Sequence, residues 1–234
     1  MNPHEIEHNF DLFGSEQRLT ETFLFKARVV GEQPHSFRHS FATQKLEELR
    51  KIPPSFSKIF RCQLLTQEQC ETVITATETY TSKHGWTRDR HGNYPTTDVP
   101  AANVSEAWTW LKPVIRQNVL GLMSSRYQLP VEGFFGIDVF IVRYEATEQS
   151  YLALHEDTCL FTFNILLSDP ACFDGGGTYF SQLDHVERPE QGDCLIHAAK
   201  WMHAGLPITR GTRYLLVGFV GHRAFDHEKL VSID

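Results

Sequence analysis

The sequence holds no apolar run long enough to cross a bilayer, which removes a membrane-spanning helix from the expected architecture. Nor does a basic leader followed by an apolar core open the chain at Met1-Asn2-Pro3-His4-Glu5; no secretory signal is visible, and the expectation is a reducing, cytoplasmic location. Cysteine is scarce. Cys62, Cys70, Cys159, Cys172 and Cys194 form no C-x-x-C pair, and an odd number argues against a complete disulfide framework, so buried thiols are expected. Cys159 and Cys194 also lack partners at zinc spacing. Positive charge is in deficit: a formal net charge of -7 disfavours a nucleic-acid backbone as partner and leaves room for a cationic substrate. No internal repeat or low-complexity tract is apparent.

What is present suits one large domain, since 234 residues with 41% hydrophobic content can bury a substantial core. The expected division is an N-terminal extension, 1–52, partly helical at 16–30 and 43–51, followed by a domain over 53–234. Pro53-Pro54 ends the second of these helices, because proline removes a backbone donor and restricts its predecessor. A strand is predicted at 58–65. Thr66 and Gln69 then fit a capping box opening a helix that Gly85 stops. Residues 88–100 read as an irregular loop. A helix from about Ser105 to Tyr127 follows, with Trp108, Leu111, Ile115, Val119 and Leu122 at helical spacing and Pro113 marking its first turn or a kink. Beyond Gly133 short β runs take over, at 137–144, 160–167, 178–183, 194–197 and 214–220. Without strand-helix alternation these predict a mainly β fold, a double-stranded β-helix (jelly roll) with flanking helices.

The chemistry concentrates in His155-Glu156-Asp157, His203 and Arg213. On an extended segment His155 and Asp157 point to one side and Glu156 to the other. Two imidazoles and a carboxylate take one face of an octahedral Fe(II) and leave three positions for a bidentate co-substrate and dioxygen. His203 follows the strand at 194–197, where an antiparallel return can bring it opposite. Arg213, at the start of the last apolar strand, is costly inside a barrel unless an anion meets it; an internal carboxylate and a ligand carboxylate both satisfy that demand.

In that order, the chain resembles the Fe(II)- and 2-oxoglutarate-dependent dioxygenases of the prolyl and lysyl hydroxylase type. The resemblance runs through Phe140-Ile141-Val142-Arg143-Tyr144, His155-Glu156-Asp157, Phe161-Thr162-Phe163-Asn164, Gly175-Gly176-Gly177-Thr178-Tyr179-Phe180, His203-Ala204-Gly205-Leu206-Pro207 and Thr209-Arg210-Gly211-Thr212-Arg213-Tyr214. Together with Pro95-Thr96-Thr97-Asp98-Val99 upstream, it is most similar to the catalytic domain of the procollagen lysyl hydroxylases. The resemblance implies His155, Asp157 and His203 as iron ligands and Arg213 as the partner of the distal carboxylate of 2-oxoglutarate. It also places Tyr144 and Asn164 at motif positions lining the co-substrate pocket, with Thr178 close by and the glycine run serving a turn.

The implied function is a hydroxylase using Fe(II), 2-oxoglutarate, dioxygen and ascorbate on a prolyl or lysyl side chain of a polypeptide. The alternatives are a hydroxylase of a free amino acid or other small metabolite, and a non-catalytic jelly-roll binding module. Neither the glycosyltransferase modules of lysyl hydroxylases nor their secretory signal is visible here, which argues against collagen as the substrate. Smaller expectations concern His197, a hydrogen-bonded core histidine in preference to a donor behind the iron, and Trp201 and Met202, which pack beside the mouth. Arg88, Arg90, His91 and Tyr94 are solvated loop residues within reach of substrate.

Overall fold

A computed structural model describes residue 56, residues 58–92 and residues 94–225. The expected helices at 16–30 and 43–51, the boundary near residue 52 and the extension 1–52 lie outside the described residues.

Chain order begins with β1 (Phe60–Gln63) and α1 (Gln67–His84). Thr66 caps α1 as its sequence requires: Thr66 Oγ1 accepts from the Gln69 amide at 3.2 Å, and the Thr66 amide donates back to Gln69 Oε1 at 2.9 Å. After a loop and β2 (Asp98–Pro100) the single helix expected from Ser105 to Tyr127 divides. It becomes α2 (Ser105–Val114), one π turn (Ile115–Val119) and α3 (Leu120–Tyr127). The π turn begins two residues after Pro113, which brings no N–H to the helical ladder.

The β portion is longer than its sequence pattern suggests. Strands β3 (Phe134–Glu145), β5 (Phe161–Leu166), β7 (Thr178–Phe180), β9 (Asp193–Ala198) and β11 (Ile208–His222) match expected runs. Between them lie four short strands without a sequence signal: β4 (Leu152–His155), β6 (Phe173–Gly175), β8 (His185–Glu187) and β10 (His203–Gly205). At three or four residues these pieces are too short for alternation to register.

Pairing is antiparallel throughout. The larger sheet has the order β1-β9-β5-β11-β3-β2, with β6 pairing β11; the smaller has the order β4-β10-β7-β8. Two such sheets face to face form the jelly roll. In β5, Phe161, Phe163 and Ile165 pack into the core with Val73, Leu111, Met123 and Tyr127 of the helices, while Thr162 and Asn164 point into the sandwich. In β11, Leu216 and Val220 join that helix-side core, and Arg213, Leu215, Val217 and Phe219 line the interior. Gly211 lies at φ +74° where β11 leaves β6, and a Cβ there would come within 2.0 Å of Cys172 O, so only glycine fits.

The cysteines correct one expectation. No disulfide joins them, and Cys70 and Cys194 are buried, but Cys62 and Cys159 are only partly covered and Cys172 is exposed. Cys172 ends the 3-10 turn Pro170–Cys172, which lies outside both sheets.

Phe161 ties sheet to helix: its ring stacks on Tyr127 at 4.2 Å and meets Phe56 at 5.0 Å, edge to face. Phe161→Ala is expected to lower unfolding free energy by about 3–5 kcal/mol in urea titration, the usual cost of truncating a buried aromatic. Thr66→Ala, which removes only the cap of α1, should cost about 1 kcal/mol.

Candidate active site

A cavity of about 330 Å³ opens between the two sheets and takes side chains from both. The smaller sheet supplies His155, the last residue of β4, and His203, the first of β10; antiparallel pairing sets the two directly opposite. Asp157 lies two residues past the end of β4 and is therefore not held by strand geometry. Its amide donates to Ala199 O at 3.2 Å, which turns the carboxylate back toward the rings. Glu156 borders the same cavity, but its carboxylate pairs with Lys200 at 2.9 Å. All three candidate ligands are buried, and one ligand atom from each falls within 4.8 Å of the others.

The hydrogen bonds on the far side of each ring fix which nitrogen faces inward. His155 Nδ1 lies 2.7 Å from Ala153 O and His203 Nδ1 lies 2.8 Å from Trp201 O. A carbonyl only accepts, so each Nδ1 carries a proton, and in the neutral ring each Nε2 presents a lone pair. Those lone pairs sit 3.3 and 3.5 Å from the Asp157 carboxylate oxygens. Three acceptors thus converge with no proton among them, an arrangement that a cation stabilises. Electrostatics agree. Burial pushes His203 down to about 3, against the opposing charge of Asp157, so the ring is neutral near pH 7. Burial works against the Asp157 charge as well, but the charge His203 takes up once it protonates at low pH, and then His155, outweigh it and hold the carboxyl well below the usual carboxylate range.

Arg213 enters the same cavity from β11 and is 1% exposed. Among the described residues neither Nη1 nor Nη2 has a hydrogen-bond partner, and none of them forms the internal ion pair that sequence left open. Burial draws its guanidinium down to about 10, with Tyr144 opposing. Tyr144 stands directly opposite Arg213 on β3, its ring 5.8 Å from the guanidinium carbon. Burial pushes the Tyr144 hydroxyl up to about 12 despite the Arg213 charge. Asn164 and Thr178 line the same space, and Asn164 Oδ1 is a buried acceptor without a partner among the described residues. His155, Asp157, His203, Arg213, Tyr144, Asn164 and Thr178 are therefore brought to one cavity, whereas Arg88, His197, Trp201 and Met202 do not line it.

His197 departs from expectation. It is fully buried, with Nδ1 3.0 Å from Ala198 O, but Nε2 lacks a partner among the described residues, and its ring lies edge to face with His203 at 4.7 Å. Burial lowers its pKa. Trp201 packs into the core. The loop at the mouth is pinned instead of merely solvated: Arg90 bridges Asp98 at 2.5 Å and Asp138 at 2.7 Å, His91 packs on Phe140, and the Tyr94 ring lies 4.8 Å from His155. Thr162, not singled out from sequence, donates to Asp157 Oδ2 at 2.5 Å. Its signal was the polar pair Thr162 and Asn164 at a spacing of two in an otherwise apolar strand.

No family model matches the chain. Among curated proteins it is 32% identical over 174 residues to the multifunctional procollagen lysine hydroxylase and glycosyltransferase LH3 of Rattus norvegicus, covering 67% of this chain and 22% of that protein. It is 29% identical over 175 residues to procollagen-lysine,2-oxoglutarate 5-dioxygenase 2 of Homo sapiens, covering 69% of this chain and 23% of that protein. The chain thus spans under a quarter of the length of these relatives. In fold it is similar to the viral collagen prolyl hydroxylase of Paramecium Bursaria Chlorella virus-1, crystallised as its 2OG complex, with a TM-score of 0.54, 19% identity, and coverage of 72% of this chain and 98% of that one. AviO1 of Streptomyces viridochromogenes Tue57 has a TM-score of 0.52 at 14% identity over 78% of this chain and 95% of its own. Among the described residues no helix is long and apolar enough to cross a membrane.

The buried histidine gives a pH signature in the metal-free protein. An unfolded histidine binds a proton below about 6.5, whereas folded His203 does so only near 3, so stability is lost as pH falls between those values. The depressed Asp157 works lower, since its contribution disappears only as pH falls from 3.8 toward its folded value. Urea midpoints should therefore fall from pH 7 to pH 5. His203→Gln should flatten the dependence by up to about 1.4 kcal/mol per pH unit; an unchanged slope would mean the ring is solvated.

Proposed function

The chain belongs with the Fe(II)- and 2-oxoglutarate-dependent dioxygenases of the prolyl and lysyl hydroxylase type, and from that premise we propose that it hydroxylates a prolyl or lysyl side chain of a polypeptide. One observation carries the reading. Three buried acceptors converge in a cavity that also receives a buried arginine whose two terminal nitrogens have no partner among the described residues, so the site calls for a cation and an anion together.

In this proposal His155 and His203, through Nε2, and Asp157 hold Fe(II); the donor set suits a divalent metal that must keep open positions. Arg213 pairs with the distal carboxylate of 2-oxoglutarate through parallel N–H bonds. Tyr144, Asn164 and Thr178 offer that co-substrate polar contacts from the cavity wall. When bound, Fe(II) supplies the redox chemistry by which dioxygen and 2-oxoglutarate become succinate, carbon dioxide and one hydroxyl on the substrate carbon. The chain's residues bind, orient and exclude water. Phe140, Val142, Leu215, Val217 and Phe219 form a dry wall. Tyr94 and the Arg90-pinned loop frame the mouth where a polypeptide side chain enters. Dependence on ascorbate as an added reductant is part of the proposal.

Asp157→Ala should abolish succinate formation, as removing the anionic ligand leaves two neutral donors. Arg213→Ala should raise the 2-oxoglutarate requirement by about 10²-fold, the order of losing paired charge-assisted hydrogen bonds, while metal stoichiometry measured by mass spectrometry stays at one. Normal turnover in the first variant, or unchanged co-substrate affinity in the second, would remove the assigned role. Substrate class is tested by searching lysyl peptides, prolyl peptides and free amino acids for a product heavier by one oxygen atom; conversion of free amino acids alone would replace the polypeptide reading.

A further inference from the structure

The functional proposal leaves Thr162 unused, although it makes the tightest contact with a candidate ligand. Thr162 is 1% exposed on β5, and its Oγ1 lies 2.5 Å from Asp157 Oδ2. An ionised aspartate offers no proton, so Thr162 is the donor. Its remaining neighbour is Cys159 Sγ at 3.4 Å, and that thiol lies 3.2 Å from Phe161 O. Thr162 cannot swing away cheaply. Phe161 and Phe163 on either side are locked in the helix-side core, and Thr162 is paired in register with His197 on β9 and Phe219 on β11.

The two carboxylate oxygens of Asp157 are consequently unequal. Oδ2 is engaged by the hydroxyl and lies 3.5 Å from His203 Nε2, whereas Oδ1 meets no hydroxyl among the described residues and lies 3.3 Å from His155 Nε2. Were both oxygens given to a metal, the three residues would fill four of six positions. A co-substrate that needs two would then leave none for dioxygen.

We propose that Thr162 is a positioning residue that commits Oδ2 of Asp157 to a hydrogen bond and so confines the carboxylate to a single donor oxygen, keeping three positions on the metal open. The inference rests on the metal reading above and concerns how that metal is held. Thr162→Val preserves volume and removes the donor; Thr162→Ser keeps the donor and removes a methyl group.

The test uses the full chain stripped of metal and reloaded with Co(II), whose visible absorption reports its coordination. Thr162→Val is expected to bind one Co(II), to show an altered visible band, and to require about tenfold more 2-oxoglutarate to perturb that band, the order of one lost hydrogen bond to a charged group. Thr162→Ser should match the wild type in both. A merely structural hydroxyl would lower the melting temperature without moving the band. Thr162→Val with a wild-type band and titration overturns the proposal, and so does a serine variant as impaired as valine. If the valine variant fails to fold, Thr162→Cys takes its place, since its weaker donor should give an intermediate shift, and a wild-type spectrum there overturns the proposal equally. Absence of Co(II) binding by the wild type would instead remove the metal reading itself.

Discussion

Three lone-pair donors pressed together in a dry space cost free energy, and much of the jelly roll is arranged to hold them there. The two imidazoles are fixed from behind by backbone carbonyls at Ala153 and Trp201, each contributed from two residues upstream of its histidine. Those carbonyls set the protonated nitrogen outward and the bare one inward. Asp157 is fixed from two sides, by its amide on Ala199 and by the Thr162 hydroxyl on its carboxylate. Remove the converging charge and the residue types revert to an unremarkable buried polar cluster. Keep it, and the fold carries a deficit near neutral pH that a cation would relieve.

Strands with two different faces allow this to coexist with a stable core. Each long strand of the larger sheet sends alternate residues toward the helices, where aromatic and aliphatic groups pack densely, and sends the others into the sandwich. Phe161, Phe163 and Ile165 anchor the strand that presents Thr162 and Asn164; Leu216 and Val220 anchor the one that presents Arg213. Stability and chemistry therefore reside on opposite sides of the same backbone. The rigidity needed to hold a buried guanidinium without a counter-charge comes from packing about one strand thickness away.

Much of the site was legible because its chemistry is unusual. His155, Asp157, His203 and Arg213 stand out as polar residues of particular types among apolar runs, and their order is informative even before any fold is assigned. Thr162 and His197 were harder to read, since a threonine in a strand and a histidine in a core have ordinary explanations; only contact with Asp157 in one case, and an unpartnered Nε2 against His203 in the other, sets them apart. Among the elements, long strands and the capped helix α1 announced themselves through alternation and capping. β4 and β10 did not, although they carry both histidines, because strands this short take their conformation from pairing and not from their own sequence.

By itself the sequence determined the kinds of donor available, the mainly β class and the alternation that decides which face of each long strand is apolar. These are local properties, fixed by residue type and spacing. Tertiary structure alone decided the rest: that Asp157 reaches the histidines from beyond the strand end, that Glu156 turns to Lys200, that Arg213 meets no carboxylate among the described residues, and that the Thr162 hydroxyl engages Oδ2 of Asp157. Each of these depends on register between strands distant in sequence, and a one-residue slip in any of those pairings would turn the same side chains out of the cavity.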